Sequence, residues 1–183
     1  CGDILIERTL IVIKPDGMKN VRKIISYYEK AGLRIVAEKI VRVSKEMAEL
    51  HYPASEQQVA GMGNKTIQAS RDGGRFEEMK RLFGTEDPKR IGMKLREFLI
   101  KFITSGPVKA FVLEGEEAVA LTRKVTGFTD PARAEKGTVR GDLGTDSIVV
   151  ANNQGRPVMN LVHASGTVEE ANNEIALWFP ELH

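Results

Sequence analysis

The sequence predicts an α+β fold on the ferredoxin-like, split βαβ plan. Its sheet would be mainly antiparallel and four-stranded, with helices on one face and two inserts. Short β-branched segments alternate with amphipathic helical ones in the order β-α-β-(α)-α-β-α-β-α. Two stretches, residues 53–92 and 145–157, break that pattern and are interpreted as inserts. The length of 183 residues favours one sizeable core over two full domains.

The first part of the pattern predicts two strands and two helices. Thr9–Ile13 is apolar and β-branched, which is typical of a buried strand. Residues 14–17 end this strand, because their proline lacks a backbone donor and their glycine permits a turn. Apolar residues recur at helical spacing over Val21–Tyr28, and residues 33–43 predict a second strand. Ser44 is a typical N-cap for a short helix through Leu50.

The stretch from Pro53 to Gly92 predicts a jointed loop region. Glycine and proline recur throughout it, and both residue types usually interrupt regular structure. Only Arg75–Phe83 has a pattern that favours a helix. We therefore expect an elaborated loop here, with one short helix.

The remaining segments complete the predicted fold. In order they are a helix over Lys94–Ile103, a turn over 105–107, a strand over Val108–Leu113, a helix over Glu116–Val125, a loop over Thr129–Gly144 and a strand over Val158–His163. The pair Thr167 and Glu170 forms an S/T-x-x-E capping box, which predicts a last helix to about Trp178.

Composition excludes several classes of protein. Lys and Arg number 27 against 25 Asp and Glu, a net charge of +2, which argues against a basic nucleic-acid coat or an acidic tail. A local basic pocket for one anionic small molecule remains compatible with this charge. Cys1 is the only cysteine, which excludes an internal disulfide and a cysteine metal cluster. We find no membrane-length apolar run and no leader pattern, so we expect a cytoplasmic protein without a membrane partner.

Three histidines are candidates for chemistry, and His163 is the strongest. His183 is terminal and is expected to be mobile, while His51 is expected to have a surface or capping role. His163 follows an apolar strand, and Glu174 lies eleven residues later on the predicted last helix. A carboxylate on one imidazole nitrogen fixes the tautomer that makes the other nucleophilic. The alternative, a purely structural histidine, stays open at this point.

Basic residues give a second indication. Lys14 ends the buried first strand, Arg123 lies in a predicted helix, and Arg140 lies in a Gly-flanked loop. Singly, each could be a surface residue; together with a nucleophilic histidine they indicate a site that neutralises phosphate charge. The sequence contains no G-x-x-x-x-G-K-[ST] and no G-x-G-x-x-G motif. We therefore expect side chains, and not a glycine-rich loop, to hold the phosphates.

Five segments resemble nucleoside diphosphate kinase, and they occur in the same order as in that family. They are Arg8–Gly17, Phe102–Val108, Gly137–Asp142, Asn160–Ser165 and Glu174–Phe179. The resemblance implies a single domain over residues 1–183. Residues 53–93 and 144–157 would be inserts absent from the short form of the family.

The resemblance also implies roles for individual residues. His163 matches the phosphorylated histidine, Glu174 the carboxylate that orients it, and Ser165 its hydroxyl neighbour. Other positions match nucleotide-binding residues: Lys14, Arg123, Thr129 and Arg140 for the phosphates, Asn160 for the sugar, and Tyr52 beside the lysine. Leu95 or a neighbour occupies the position that faces the base, and Phe76 or Phe83 are alternatives. Members of the family usually bind Mg²⁺ through the nucleotide phosphates and assemble as hexamers or tetramers.

Two classes of function follow. The first is an enzyme that transfers the γ-phosphate of a nucleoside triphosphate, typically ATP, to a nucleoside diphosphate through phospho-His163. The second is a non-catalytic nucleotide-binding regulatory module with the same fold, since fold alone does not define function. His163 together with Lys14, Arg140 and Glu174 favours the enzyme. Nucleic-acid binding on the sheet is disfavoured, because the sequence lacks an aromatic stacking platform.

Overall fold

The computed structural model describes residues 2–182, so the expectations for Cys1 and His183 lie outside the described residues. Its strands are β1 (Ile6–Ile13), β2 (Arg34–Val41), β3 (Val108–Glu116) and β4 (Val162–Ala164). Its α-helices are α1 (Val21–Lys30), α2 (Lys45–His51), α3 (Glu56–Asp72), α4 (Phe76–Phe83), α5 (Pro88–Ile103), α6 (Ala118–Thr126), α7 (Val139–Leu143), α8 (Ile148–Asn153) and α9 (Val168–Trp178). Short 3₁₀ turns cover Pro15–Asn20, Pro131–Arg133 and Pro180–Leu182.

The chain divides into two compact units. The sheet unit comprises the residues up to 42, residues 106–144 and those from 160 onward. The helical unit comprises residues 43–105 and 145–159. It therefore includes both predicted inserts together with α2 and α5. The interpretation of the whole chain as one domain stays a prediction.

The sheet confirms the predicted fold class. Its strand order is β2-β3-β1-β4, and every neighbouring pair is antiparallel. This is the ferredoxin-like arrangement, in which the first strand lies between the third and the fourth. β2 lies at an edge of the sheet, where a charged side chain such as Lys39 is tolerated.

The core of the sheet unit explains why β1 is a central strand. Residues 10–13 are fully buried, and Ile11 and Ile13 pack with residues of α1, β3 and β4. Tyr28 of α1 meets Phe111 of β3 edge to face, with ring centroids 6.1 Å apart. The Tyr28 hydroxyl lies 2.8 Å from the Thr126 hydroxyl, so this polar group has a partner inside the core.

The helical unit contradicts the predicted loop over residues 53–92. α3 spans seventeen residues, and the side chain of Ser55 caps it by accepting from the backbone N–H of Gln58. A Cβ at Gly63 would lie 1.9 Å from the Pro88 carbonyl oxygen, and one at Gly92 would lie 1.8 Å from that of Val59. These glycines therefore permit α3 and α5 to pack in close contact. The prediction was wrong because it interpreted glycines of a tight helix crossing as breaks in the chain.

The start of α5 was also predicted incorrectly, and the proposed second insert contains a helix that the sequence did not indicate. α5 begins at Pro88, six residues before the predicted start, with Asp87 accepting from the backbone N–H of Lys89. Proline is tolerated in the first turn, where its missing N–H would have no helical partner. Residues 145–157 contain α8, which begins after Ser147. Asp146 anchors this segment by accepting from both terminal nitrogens of Arg156.

The last strand is shorter than predicted. β4 covers Val162–Ala164, whereas the sequence predicted Val158–His163. Leu161 has φ +74°, in the left-handed region, so the extended chain begins only after it. The predicted loop over 129–144 likewise contains α7, capped by Thr138, whose side chain accepts from the Gly141 N–H. The capping prediction for α9 is confirmed, because the Thr167 hydroxyl accepts from the backbone N–H of Glu170 at 3.1 Å.

Among residues 2–182, we find no helix with the length and apolar character needed to cross a bilayer.

Candidate active site

Strand register places three predicted site residues on one face of the sheet. His163 lies opposite Val12 in the β1–β4 ladder. The Ser165 N–H donates to the Leu10 carbonyl at 3.2 Å, and the Leu10 N–H donates to the Ser165 hydroxyl at 3.4 Å. Lys14 follows Val12 by two residues in an extended conformation. Since side chains alternate between the faces of a strand, Lys14, His163 and Ser165 point to the same side.

His163 is held by a carboxylate from α9. Its Nε2 lies 2.7 Å from Glu174 Oε1 and 3.1 Å from Oε2. The hydroxyl of Ser165 donates to the same Oε1 at 2.7 Å. The side chain of His163 is 21% exposed and that of Glu174 13%, so the pair is shielded but reachable. A carboxylate that accepts from Nε2–H directs the ring lone pair to Nδ1.

Lys14 is buried and is joined to the loop before β4. Its Nζ donates to Asn160 Oδ1, and Asn160 Nδ2 donates to the backbone carbonyl of Thr129 at 2.9 Å. Burial lowers the pKa of Lys14 to about 8; nearby Asp16 opposes this shift and Arg140 adds to it. A buried ammonium with a lowered pKa gains strongly from an anionic ligand, because the ligand restores the stabilisation that water would give.

Arg140 is more deeply embedded than the sequence predicted. Its Nε donates to the Asn160 carbonyl at 3.1 Å, and its Nη2 donates to the Val162 carbonyl at 2.7 Å. Its Nη1 donates to the Gly127 carbonyl at 3.2 Å. Only 6% of Arg140 is exposed, and burial lowers its pKa to about 10, so it remains charged at neutral pH. Arg140 therefore connects the backbone at Gly127 with the residues on both sides of Leu161, which are Asn160 and Val162.

Leu161 adopts a backbone conformation that leucine rarely takes. The left-handed region costs an L-residue roughly 1–2 kcal/mol. The surrounding chain holds the residue by both of its peptide groups. Its N–H donates to Asp16 Oδ2 at 3.0 Å, and its carbonyl accepts from the Lys14 N–H at 2.9 Å. A Cβ at position 17 would lie 2.7 Å from this carbonyl, so Gly17 is required for the close approach.

Asp16 was missed by the sequence reasoning as a candidate residue. It stands between Lys14 and Gly17, two positions that the same reasoning singled out. A carboxylate directly after a buried strand that ends in a lysine was the available signal.

Arg123 reaches the site from α6. Its Nη1 donates to the carbonyl of Ala164, next to His163, at 3.4 Å. It also borders an open pocket of about 480 Å³ on the sheet unit, lined by Arg123, Lys124, Gly127, Phe128, Arg133, Glu135 and Thr138. The Arg133 guanidinium lies 5.4 Å from the centre of the Phe128 ring. The cations of this pocket make it suited to an anionic ligand.

Two predicted site residues, Tyr52 and Leu95, belong to the helical unit. The Tyr52 carbonyl accepts from Arg96 Nε, and the Tyr52 ring meets that of His51 edge to face at 4.6 Å. His51 is 5% exposed at the end of α2, so the surface role, one of the two roles expected for it, is excluded. Leu95 is half-buried on α5. The alternatives Phe76 and Phe83 also belong to the helical unit, on α4, whereas the remaining predicted site residues lie in the sheet unit, where the contacts above connect them.

The site can perform nucleophilic group transfer. An imidazole with one nitrogen fixed by a carboxylate can attack an electrophilic phosphorus through the other. Lysine and arginine side chains around it can offset the charge of a phosphate ester. Fold and site together thus indicate a protein of the phosphate-transferring class.

Comparison with known proteins agrees with this class. The family model described as nucleoside diphosphate kinase matches residues 7–69 and 77–183. A relative from Pyrobaculum aerophilum with that name is 44% identical over 96% of both chains. One from Staphylococcus epidermidis is 37% identical over 94% of this chain and 87% of its own.

Solved structures give the same result. An NDP kinase from Pyrobaculum aerophilum superimposes with a TM-score of 0.88, at 42% identity over 96% of each chain. The structure of the nucleoside diphosphate kinase from Borrelia burgdorferi, described as a transition-state mimic with bound vanadate and ADP, superimposes on this chain with a TM-score of 0.74. It is 30% identical and covers 97% of this chain and 89% of its own. The chain belongs to the nucleoside diphosphate kinase family, and it is an enzyme that transfers phosphate between nucleotides.

Proposed function

We propose that the transfer proceeds in two half-reactions through phospho-His163. In the first, His163 takes the γ-phosphate of a nucleoside triphosphate, typically ATP, and releases the diphosphate. In the second, a different nucleoside diphosphate takes the phosphate from the histidine. The observation that carries this proposal is the contact of His163 Nε2 with Glu174 on the face of the sheet to which Lys14 points.

Nδ1 of His163 is the proposed attacking atom. Since Nε2 is engaged by Glu174, the lone pair that forms the P–N bond belongs to the other ring nitrogen. The bond that breaks joins the γ-phosphorus to the bridging oxygen, and the electron pair leaves with the diphosphate. The ring becomes positively charged when both nitrogens are substituted, and the carboxylate of Glu174 offsets this charge. In the second half-reaction a terminal oxygen of the acceptor diphosphate displaces Nδ1.

We propose that Lys14, Arg123, Thr129 and Arg140 hold the nucleotide phosphates and that Asn160 contacts the sugar. The burial of Lys14 and the position of Arg123 beside Ala164 support the first assignment. Phosphoryl transfer depends chiefly on positioning and charge neutralisation, which these side chains can supply. Three N–H donors of Arg140 bind backbone carbonyls, which supports an additional role in fixing the shape of the site.

We propose Mg²⁺ as the metal, held by the nucleotide phosphates. The donor set fits this arrangement: Glu174 is engaged by His163 and Ser165, and Asp16 holds the Leu161 N–H. Phosphate oxygens and water are the ligands Mg²⁺ commonly uses in such sites. The ion would supply further neutralisation of the phosphate charge.

For the base we propose Leu95, with Phe76 or Phe83 as alternatives, and we propose Tyr52 as a further nucleotide contact. These assignments rest on the family resemblance. Base recognition by one apolar side chain would give little selectivity among nucleosides, because an apolar contact reads no hydrogen-bonding pattern. This is consistent with affinity that comes mainly from the phosphates and the sugar.

We also propose a single catalytic domain with inserts at 53–93 and 144–157, acting as a homo-oligomer, hexamer or tetramer, in the cytoplasm. The family match extends through both units, which supports the single domain. The edge position of β2, with Ile40 63% exposed, supports assembly through this strand. Light scattering coupled to gel filtration measures the oligomeric state directly.

Incubation with γ-labelled ATP and Mg²⁺ tests the mechanism. We expect an acid-labile, base-stable label on the protein that moves to added GDP. His163→Ala should abolish the label while thermal unfolding stays close to that of the unmodified protein. His183→Ala is the matched control and should keep the label. Labelling and turnover that persist in His163→Ala would exclude phospho-His163 as the intermediate.

A further inference from the structure

We infer that Asp16 is a positioning residue for phosphoryl transfer, whose carboxylate holds the strained turn at Leu161 and thereby sets the relative placement of Asn160 and His163. The inference rests on the proposed role of His163. Asp16 is not proposed to touch substrate, and it acts through the loop that leads into β4.

The turn at Leu161 needs external support. A non-glycine residue at φ +74° persists only where neighbouring contacts over-determine it. Here both peptide groups of Leu161 are bound to one short segment, its N–H to Asp16 and its carbonyl to the backbone of Lys14. The side chain is buried among the core residues of the sheet unit. Of the two hydrogen bonds, only the one to the Asp16 carboxylate can be removed by a side-chain substitution.

The position of the turn connects it to the chemistry. Asn160, directly before it, carries the contacts to Lys14 and to the Thr129 carbonyl. His163, two residues after it, is fixed opposite Val12 in the ladder. A change at Leu161 would therefore rotate Asn160 and its lysine partner relative to the nucleophile. Displacements of about 1 Å are enough to reduce transfer rates by two orders of magnitude.

The other carboxylate oxygen of Asp16, Oδ1, indicates that the negative charge of this residue also has a role. Asp16 Oδ1 is buried, and it has no hydrogen-bond partner among the described residues. Its charge faces Lys14 and Arg140, and it raises the pKa of each against the lowering effect of burial. The carboxylate therefore has two separable effects, one through the Leu161 N–H and one through the charge on Lys14.

Two substitutions separate these effects. Asp16→Ala removes both the acceptor and the charge, whereas Asp16→Asn keeps an oxygen that can accept from Leu161 N–H. Asp87→Ala, which removes a carboxylate from a backbone N–H at the start of α5, is the matched control. The measurements are the single-turnover rate of His163 labelling by γ-labelled ATP and the pH profile of kcat/KM.

We expect Asp16→Ala to slow His163 labelling about 10- to 100-fold. Asp16→Asn should recover most of that lost rate at pH 7, and Asp87→Ala should be labelled at the wild-type rate. In Asp16→Asn, the decline of kcat/KM at alkaline pH that reflects loss of the Lys14 proton should begin below pH 8, because the carboxylate charge no longer raises the Lys14 pKa. The inference is overturned by labelling in Asp16→Ala within threefold of wild type, or by Asp16→Asn as slow as Asp16→Ala.

If Asp16→Ala does not fold, the measurements on Asp16→Asn alone test the positioning role of Asp16. Labelling within tenfold of wild type together with a lowered alkaline limb supports the inference, and slower labelling or an unmoved limb overturns it. Absence of His163 labelling in the wild-type protein would instead contradict the proposed function.

Discussion

Raising the pH should remove the charge of Lys14 within an accessible range. Its pKa is about 8, chiefly because the ammonium group is buried. Roughly nine-tenths of the molecules are then protonated at pH 7 and roughly one-tenth at pH 9. Since kcat/KM reports the ionisation of the free enzyme, it should fall about tenfold per pH unit above pH 8. The nucleotide phosphates do not interfere, because their last ionisation lies near pH 6.

The assay is kcat/KM for a nucleoside diphosphate between pH 6.5 and 10, compared with Lys14→Arg. Arginine stays charged throughout this range, so the variant should have a lower but flatter profile. kcat should decline at a higher pH than kcat/KM, because bound phosphate stabilises the ammonium form. The free energy of unfolding should rise from pH 8 towards 10.5, since the unfolded chain then binds more protons than the folded one. A wild-type profile that stays flat from pH 7 to 9.5, or an unchanged limb in Lys14→Arg, would refute the argument.

Three further predictions concern single side chains. Glu174→Ala should slow single-turnover phosphorylation of His163 about 10- to 100-fold without preventing it, with Glu169→Ala on the same helix as control; equal rates in both would contradict the orienting role. Arg140→Ala should lower kcat/KM and the melting temperature. The free energy of unfolding should fall by about 3 kcal/mol or more, because three backbone carbonyls lose their donor; an unchanged melting curve would contradict this. Gly63→Ala should destabilise the fold by about 1–3 kcal/mol in denaturant titration, since its Cβ would meet a carbonyl of α5. Gly61→Ala, with open space around its Cβ, should be neutral or stabilise by about 0.5–1 kcal/mol, and the opposite order would exclude the tight helix crossing.

Local pattern was sufficient for most of the sheet unit. β1, α1, β3 and the capped start of α9 follow from periodicity and capping residues, which act over only a few positions. The family resemblance implied that Glu174 orients His163, and the structure places these two side chains in contact. The family resemblance added Thr129 and Asn160 as proposed nucleotide-binding residues, which periodicity alone does not indicate.

The helical unit shows where local pattern fails. Glycine in a sequence is compatible with a turn and with a close helix crossing, and only the partner helix distinguishes them. Gly63 and Gly92 lie 29 positions apart in the chain, each against a backbone carbonyl of the other helix. The same ambiguity affects Pro88, which can end a segment or open a helix.

The sequence alone predicted most of the sheet and supplied the candidate nucleophile His163 with the basic residues Lys14 and Arg140, because hydrophobic period and residue chemistry are local properties. The tertiary structure decided how those groups are held. Asp16 and Leu161 are separated by 145 positions, and Arg140 reaches backbone carbonyls 13 to 22 positions away. Such contacts depend on the positions of distant segments after folding, and backbone carbonyls carry no sequence signature. The burial that lowers the pKa of Lys14 arises in the same way, from the chain that folds around it.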